Sequence, residues 1–164
     1  MKNNEKLDDY FYDIYDSPIG RLFLKASYSA VIKISFFDFK EDYSIKTNEI
    51  LIKLKNELEL YFFGKLEEFS IKIDLRGTKF QKECWNELLR IPYGETISYQ
   101  EEAIQIGDKN KARACGMANH YNPIAIVVPC HRVIGKNGKL TGYAPGLEHK
   151  RYLLNLERTT RGAK

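Results

Sequence analysis

The chain has 164 residues, 43% hydrophobic and 29% charged, enough to bury a core and unlike the composition of a disordered or fibrous chain. Its longest apolar run, Ile124 to Val128, is too short to span a bilayer, and the polar start MKNNEKLDDYFYDIYDS has no apolar signal core; no membrane partner is expected, and the expected compartment is cytoplasmic. The net charge of +4 is uneven: residues 1–75 carry 11 Lys and Arg against 14 Asp and Glu, and residues 76–164 carry 15 against 8, so the second half suits a polyanion such as nucleic acid, or has a plain solvated basic face.

Residues 10–39 alternate and are rich in Tyr, Ile, Phe and Val. YFYDIYDSPIGRLFLKAS followed by SAVIKISFFDF reads as three short antiparallel strands, with a break at Ser17 to Gly20. TNEILIKLKNELELYFFG places Ile50, Leu51, Leu54, Leu58 and Tyr61 on one helical face and ends at Gly64, a C-cap residue. IKIDL, Ile71 to Leu75, reads as one more extended segment.

From Arg76 the punctuation becomes helical. Thr78 to Gln81 is a capping box opening a helix to about Leu89, before Pro92. Ser98 to Glu101 is a second one, opening a short helix that Gly107 ends. GDKN then turns tightly into KARACGMANH, Lys111 to His120, a helix-turn-helix candidate, although many helix pairs share this layout. LEHKRYLLNLE, Leu147 to Glu157, reads as a last helix. The expected fold class is α+β: a small N-terminal α/β domain of antiparallel sheet plus helix over 1–75, then an all-α C-terminal domain with a helix-turn-helix over 76–164.

Three cysteines, Cys84, Cys115 and Cys130, at wide and irregular spacing form no disulfide framework. With no C-x-x-C and no H-x-x-x-H pair, no metal site is expected. Cys84, between Phe80 and Leu88, and Cys115, among Ala112, Ala114 and Gly116, read as small buried hydrophobes.

Cys130 lies in VVPCHRVIG, where Pro129 fixes the backbone before it and His131 and Arg132 follow at once. Basic and cationic neighbours lower a thiol pKa and favour the reactive thiolate. In an extended segment adjacent side chains point to opposite sides, so His131 would reach Cys130 through a water or by a backbone bend. The alternative is an inert buried cysteine, the common fate of a lone Cys after an apolar run.

PCHRV, with Asn122-Pro123 eight and seven residues before the cysteine, resembles the active-site motif of the 6-O-alkylguanine-DNA alkyltransferases, also called methylated-DNA–protein-cysteine methyltransferases. The likeness extends over the C-terminal half: GTKFQKECWNELLRIPYGETISYQ is similar to the family's lead-in, KARACGMANHYNP to its recognition helix and asparagine hinge, and TGYAPGLEHKRYLL to its pocket loop and last helix. The resemblance implies that Cys130 takes the alkyl group from the 6-oxygen of guanine, with His131 as base through a water and Glu157 orienting His131. It further implies that Asn122 holds the turn before the active-site segment and that Tyr99 gives a proton to the departing guanine. Tyr143, Ala144, Pro145 and Gly146 would wall the pocket. Lys111, Ala112, Arg113 and Asn119 would contact DNA, with Arg113 filling the place of the extruded nucleotide. The implied partner is double-stranded DNA carrying alkylated guanine, bound through its minor groove by a monomer without a cofactor.

Two departures stand out. Ala144 offers no side-chain hydroxyl and Pro145 no N–H, where some relatives carry serine or glycine; the zinc ligands that some relatives hold in the N-terminal domain are missing. Three function classes follow for test: an alkyltransferase consumed by its own reaction, a non-catalytic binder of alkylated DNA, and a cysteine hydrolase. Cys130 speaks against the second, and no protease-type oxyanion loop supports the third.

Overall fold

Alternating residues from Phe11 onward build a three-stranded antiparallel sheet, β1 (Phe11–Ser17), β2 (Gly20–Ala26) and β3 (Val31–Ser35), in the order β1-β2-β3. The structure, a computed structural model, describes residues 9–162; the first eight residues of the polar amino-terminal stretch lie outside them. Ser17 pairs with Gly20 across the Pro18-Ile19 turn, where the sequence places the break. Helix α1 (Glu49–Phe62) starts at Asn48, whose side chain accepts from the Leu51 N–H. It stops at Gly64, whose φ of 72° is the left-handed conformation that glycine enters without a Cβ penalty.

The free edge of β3 is covered, and this covering is what joins the sheet to the site. At one end the Val31 N–H donates to the Lys72 carbonyl and the Asp74 N–H to the Val31 carbonyl, both at 2.9 Å, so IKIDL is indeed extended. At the other end the Ile34 N–H donates to the Pro123 carbonyl at 3.0 Å, and the Ala125 N–H to the Ile34 carbonyl at 3.1 Å. An edge that would otherwise present unpaired backbone is satisfied by the chain leading into Cys130.

The second half contains α2 (Lys79–Leu88), α3 (Tyr99–Gln105), α4 (Ala112–His120) and α5 (Leu147–Thr160). Both capping boxes form, Thr78 with Gln81 and Ser98 with Glu101. A 3₁₀ turn over Lys109–Lys111 joins α3 to α4. This half is helical but for one small ladder: β4 (Ile97–Ser98) pairs in parallel with β5 (Val133–Ile134). The ladder gives partners to the backbone on either side of the site.

One apolar core crosses both halves. Leu22, Leu24, Val31, Leu51 and Leu58 cluster with Trp85, Leu88, Val128, Val133 and Leu153. Each fully buried aliphatic side chain contributes about 1.5–3 kcal/mol, so sheet and helices hold the Cys130 segment jointly. A smaller cluster of Cys84, Ala103, Cys115 and Ala118 lies between α2, α3 and α4. The Trp85 indole N–H donates to the Ala118 carbonyl at 2.8 Å and ties α2 to α4. Among the described residues no helix is long and apolar enough to cross a membrane.

Candidate active site

The apolar run before Cys130 is not a strand. The Val127 N–H donates to the Ala125 carbonyl at 2.9 Å, closing a three-residue turn around Ile126, whose φ is 73°. The Cys130 N–H donates to the Val128 carbonyl at 2.9 Å, closing a second such turn at Pro129, with φ −85° and ψ 63°. A positive φ at a β-branched residue costs on the order of 1–3 kcal/mol and persists only where its surroundings over-determine it. Here they do: Ile126 is buried in the core, and Asn122 staples the loop from outside. The Asn122 carbonyl oxygen accepts from the Ile124 N–H at 3.0 Å; its amide donates to the Val128 carbonyl at 2.7 Å and to the Cys130 sulfur at 3.2 Å.

Cys130 to Arg132 form a 3₁₀ turn, the bend that lets His131 leave the segment on its own course. His131 is fully buried, and its Nε2 lies 2.6 Å from Oε2 of Glu157 on α5. Glu157 is also fully buried and crowded with donors. Arg132 grips it with Nε at 2.7 Å from Oε1 and Nη2 at 3.1 Å from Oε2, and the Tyr61 hydroxyl donates to Oε2 at 2.6 Å. Burial alone would raise the Glu157 pKa, but the hydrogen bonds from His131 and Arg132 and the charge of Arg132 outweigh it and hold the acid below the usual carboxylate range.

These contacts assign the His131 proton. A carboxylate only accepts, so Nε2 must be the donor; burial lowers the His131 pKa against the pull of Glu157, keeping the ring neutral. The lone pair is therefore on Nδ1, which is buried and has no hydrogen-bond partner among the described residues. A neutral imidazole with a free basic nitrogen can take a proton from a thiol nearby.

Arg132 does not do what its position in the sequence suggests. Its guanidinium is committed to Glu157 and, through Nη1, to the Ile91 carbonyl at 2.7 Å, so it is not a cation serving the thiol. Burial pushes the Cys130 thiol up to about 11; the hydrogen bond from Asn122 and the charge of Lys150 pull the other way. Lys150 has no counterpart in the sequence reading. It is fully buried, and Nζ donates to the carbonyls of Val133 (2.6 Å), Thr141 (3.0 Å) and Gly142 (3.4 Å), fastening the pocket loop to the strand after Cys130. Burial lowers its pKa to about 8. Its helical spacing was the available signal: Lys150, Leu153 and Glu157 fall on one face of α5, and all three are buried.

Cys130 opens onto a cavity of about 740 Å³ that Tyr99, Arg113, Asn122, Tyr143, Ala144 and Pro145 also line. The Tyr99 hydroxyl donates to the Thr141 carbonyl at 2.8 Å. The Tyr143 hydroxyl is buried without a partner among the described residues. Gly146 stands behind the wall, its N–H closing a turn onto the Tyr143 carbonyl at 2.8 Å and its backbone opening α5. The N-terminal half contributes too, with Lys33 to Phe37 along one side, which the sequence reading did not include. Phe36 packs edge-on against Tyr143, ring centroids 6.4 Å apart.

On α4, Arg113 is exposed and reaches the cavity. Lys111 is exposed at its start with Nζ over the Phe80 ring, and Ala112 packs on the small cluster beneath. Asn119, expected to contact DNA, is buried; it borders the cavity, and its amide donates to Glu102 Oε2 at 2.8 Å. Cys84 and Cys115 are buried, as the sequence suggested, but they meet, their sulfurs 3.8 Å apart.

Two family models match the chain: the 6-O-methylguanine DNA methyltransferase ribonuclease-like domain over residues 5–75 and the DNA binding domain of the same family over residues 79–159. A methylated-DNA–protein-cysteine methyltransferase of Methanosarcina acetivorans is 47% identical over 152 residues, covering 90% of this chain and 97% of the relative. One of Mycobacterium tuberculosis is also 47% identical, covering 90% and 92%. A crystal structure of Mycobacterium tuberculosis OGT in complex with DNA superposes with a TM-score of 0.85 at 47% identity, covering 92% of this chain and 94% of the other.

Proposed function

The chain belongs to the 6-O-methylguanine DNA methyltransferase family, and from that premise we propose that it repairs duplex DNA by moving the alkyl group of an alkylated guanine onto its own Cys130. The observation that supports the residue assignment is at His131, the residue after Cys130: its Nε2 lies 2.6 Å from Glu157 Oε2, and its Nδ1 is buried without a partner among the described residues, which suits a neutral ring with a free basic nitrogen. A thiol raised to about 11 needs such a base at neutral pH.

In this reading the Cys130 proton passes through a water to His131 Nδ1. The sulfur attacks the alkyl carbon, that carbon's bond to the guanine 6-oxygen breaks, and the electron pair stays with the purine. Tyr99 turns its hydroxyl from Thr141 and gives the base a proton, and the His131 proton returns to the tyrosinate through solvent. Asn122 holds the sulfur in line, and Tyr143, Ala144 and Pro145 wall the flipped base. The target oxygen cannot be reached inside the stack, so the nucleotide swings out, with Arg113 taking its place from the minor-groove side. The product thioether has neither a carbonyl nor a good leaving group, so each monomer acts once.

One equivalent of methylated guanine in duplex DNA should add one methyl group to the intact protein, on the peptide holding Cys130. Cys130→Ala should bind DNA and accept nothing. Repeated turnover, or a methyl group on Cys84 or Cys115, would refute this reading.

A further inference from the structure

A second group of reactive side chains lies beneath the recognition helix, outside the proposed alkyl-transfer site. Cys84 comes from α2, Glu102 from α3 and Cys115 from α4, all fully buried, with one ligand atom from each within 4.8 Å of the others. The Cys84 and Cys115 sulfurs are 3.8 Å apart. Two thiolates bound to one tetrahedral zinc-sized cation at about 2.3 Å stand about 3.8 Å from each other, so the pair already has the required spacing. A disulfide would need the sulfurs at about 2.05 Å, much closer than they are.

Glu102 supplies an independent pointer. Its Oε2 receives one hydrogen bond, from the Asn119 amide, while Oε1 is buried without a partner among the described residues. The Asn119 carbonyl oxygen is likewise buried and unpartnered, one helical turn beyond Cys115. Among the described residues no cation stands against the carboxyl, and Glu87 adds repulsion; burial first, then that charge, raises its pKa to about 7. A buried acid in this position must hold a proton or a positive ion. Two sulfurs and a carboxylate select a thiophilic divalent ion over magnesium or calcium.

We propose that Cys84, Glu102 and Cys115 form a closed structural site for a divalent cation of the zinc type, with the Asn119 carbonyl oxygen as the fourth donor, clamping α2, α3 and α4 together. On loading, both thiols and the protonated fraction of Glu102 release their protons to solvent, and two metal–sulfur bonds form with one bond each to the Glu102 carboxylate and the Asn119 side-chain oxygen; nothing is oxidised or reduced. The ion would brace the helix-turn-helix against α2, and binding free energy in a site that exists only when folded adds directly to stability. The site is independent of the repair reaction.

The test uses the full chain with Cys130→Ala, so that the remaining thiols are the two in question. Purified under reducing conditions from zinc-supplemented cells, it should carry one zinc ion per chain by native mass spectrometry. Removal of the ion with a chelator should lower its melting temperature. Adding Cys84→Val and Cys115→Val should abolish the zinc. Glu102→Gln, nearly isosteric and least disturbing to the fold, should weaken zinc at least ten-fold against a competing chelator. A zinc-free protein whose melting ignores added zinc overturns the proposal. So does a zinc content unchanged by loss of both cysteines, or an affinity unchanged in Glu102→Gln.

Discussion

Glu157 and Glu102 are both fully buried acids on helices of the same half, yet they end in opposite states. Glu157 meets an arginine, a histidine and a tyrosine hydroxyl and stays ionised far below the usual range. Glu102 meets one amide and is raised to about 7. Burial is common to both; the partners differ. A buried carboxylate with enough donors becomes a fixed negative charge that can set a histidine tautomer. One without them becomes a proton store or a place for a cation.

Breaking the satisfied region should have the largest effect. Glu157→Ala leaves Arg132 and His131 buried and unpaired, which is expected to cost about 3–5 kcal/mol in chemical denaturation. With the imidazole no longer held in one tautomer, methyl transfer should slow by about 10²–10⁴-fold. Glu157→Gln, of the same size, should keep more of the stability than of the rate. Equal, small losses in both variants would mean that the network is not what holds this region.

The pH dependence should separate the two acids by sign. Glu157, lowered in the folded chain, contributes stability that is present above its ordinary value of 4.5 and is lost as the pH falls below it. Glu102, raised from 4.5 to about 7, keeps its proton longer when folded, so the metal-free protein should lose stability as the pH rises across that window. A displacement of that size is worth about 3 kcal/mol. Unfolding free energies measured in chelator from pH 4 to 8 should show this fall, and Glu102→Gln should flatten it while leaving the acid limb in place. The same fall in Glu102→Gln would assign it to another group.

Local spacing made some of this readable from sequence and left the rest hidden. The capping boxes at Thr78 and Ser98 are four-residue patterns whose donors and acceptors find each other whatever the tertiary fold, and both formed. PCHRV with Asn122-Pro123 pointed to the loop and its staple. By contrast, Arg132 beside Cys130 suggested an electrostatic role on the thiol, but its guanidinium turns to a residue 25 positions away. Tyr61 reaches Glu157 across 96 positions, a contact that only the shared core creates. The spacing rule that spoke against a metal looked for ligands close in sequence, whereas Cys84, Glu102 and Cys115 converge from three helices. The positive φ at Ile126 had no residue signal, since packing rather than a glycine enforces it.

The two regions share α4, and the smallest expected effect tests what that helix passes between them. One face buries Cys115 and Asn119 in the cluster with Glu102, while Arg113 on the exposed face reaches the cavity of Cys130. If Arg113 occupies the space of an extruded nucleotide, it offsets part of an unstacking cost of a few kcal/mol, and only while a duplex is being opened. Arg113→Ala should then slow repair of methylated guanine in duplex DNA by about ten-fold or more, about 1.4 kcal/mol. Reaction with the free alkylated base should be nearly unchanged, because nothing has to be flipped. Substitutions at Cys130 or His131 should damage both reactions alike. The measurement is a pair of rates on each variant, duplex and free base. Equal slowing of both by Arg113→Ala would assign the arginine to the chemistry or to the packing of α4, and the helix would then be part of the active site rather than its route to DNA.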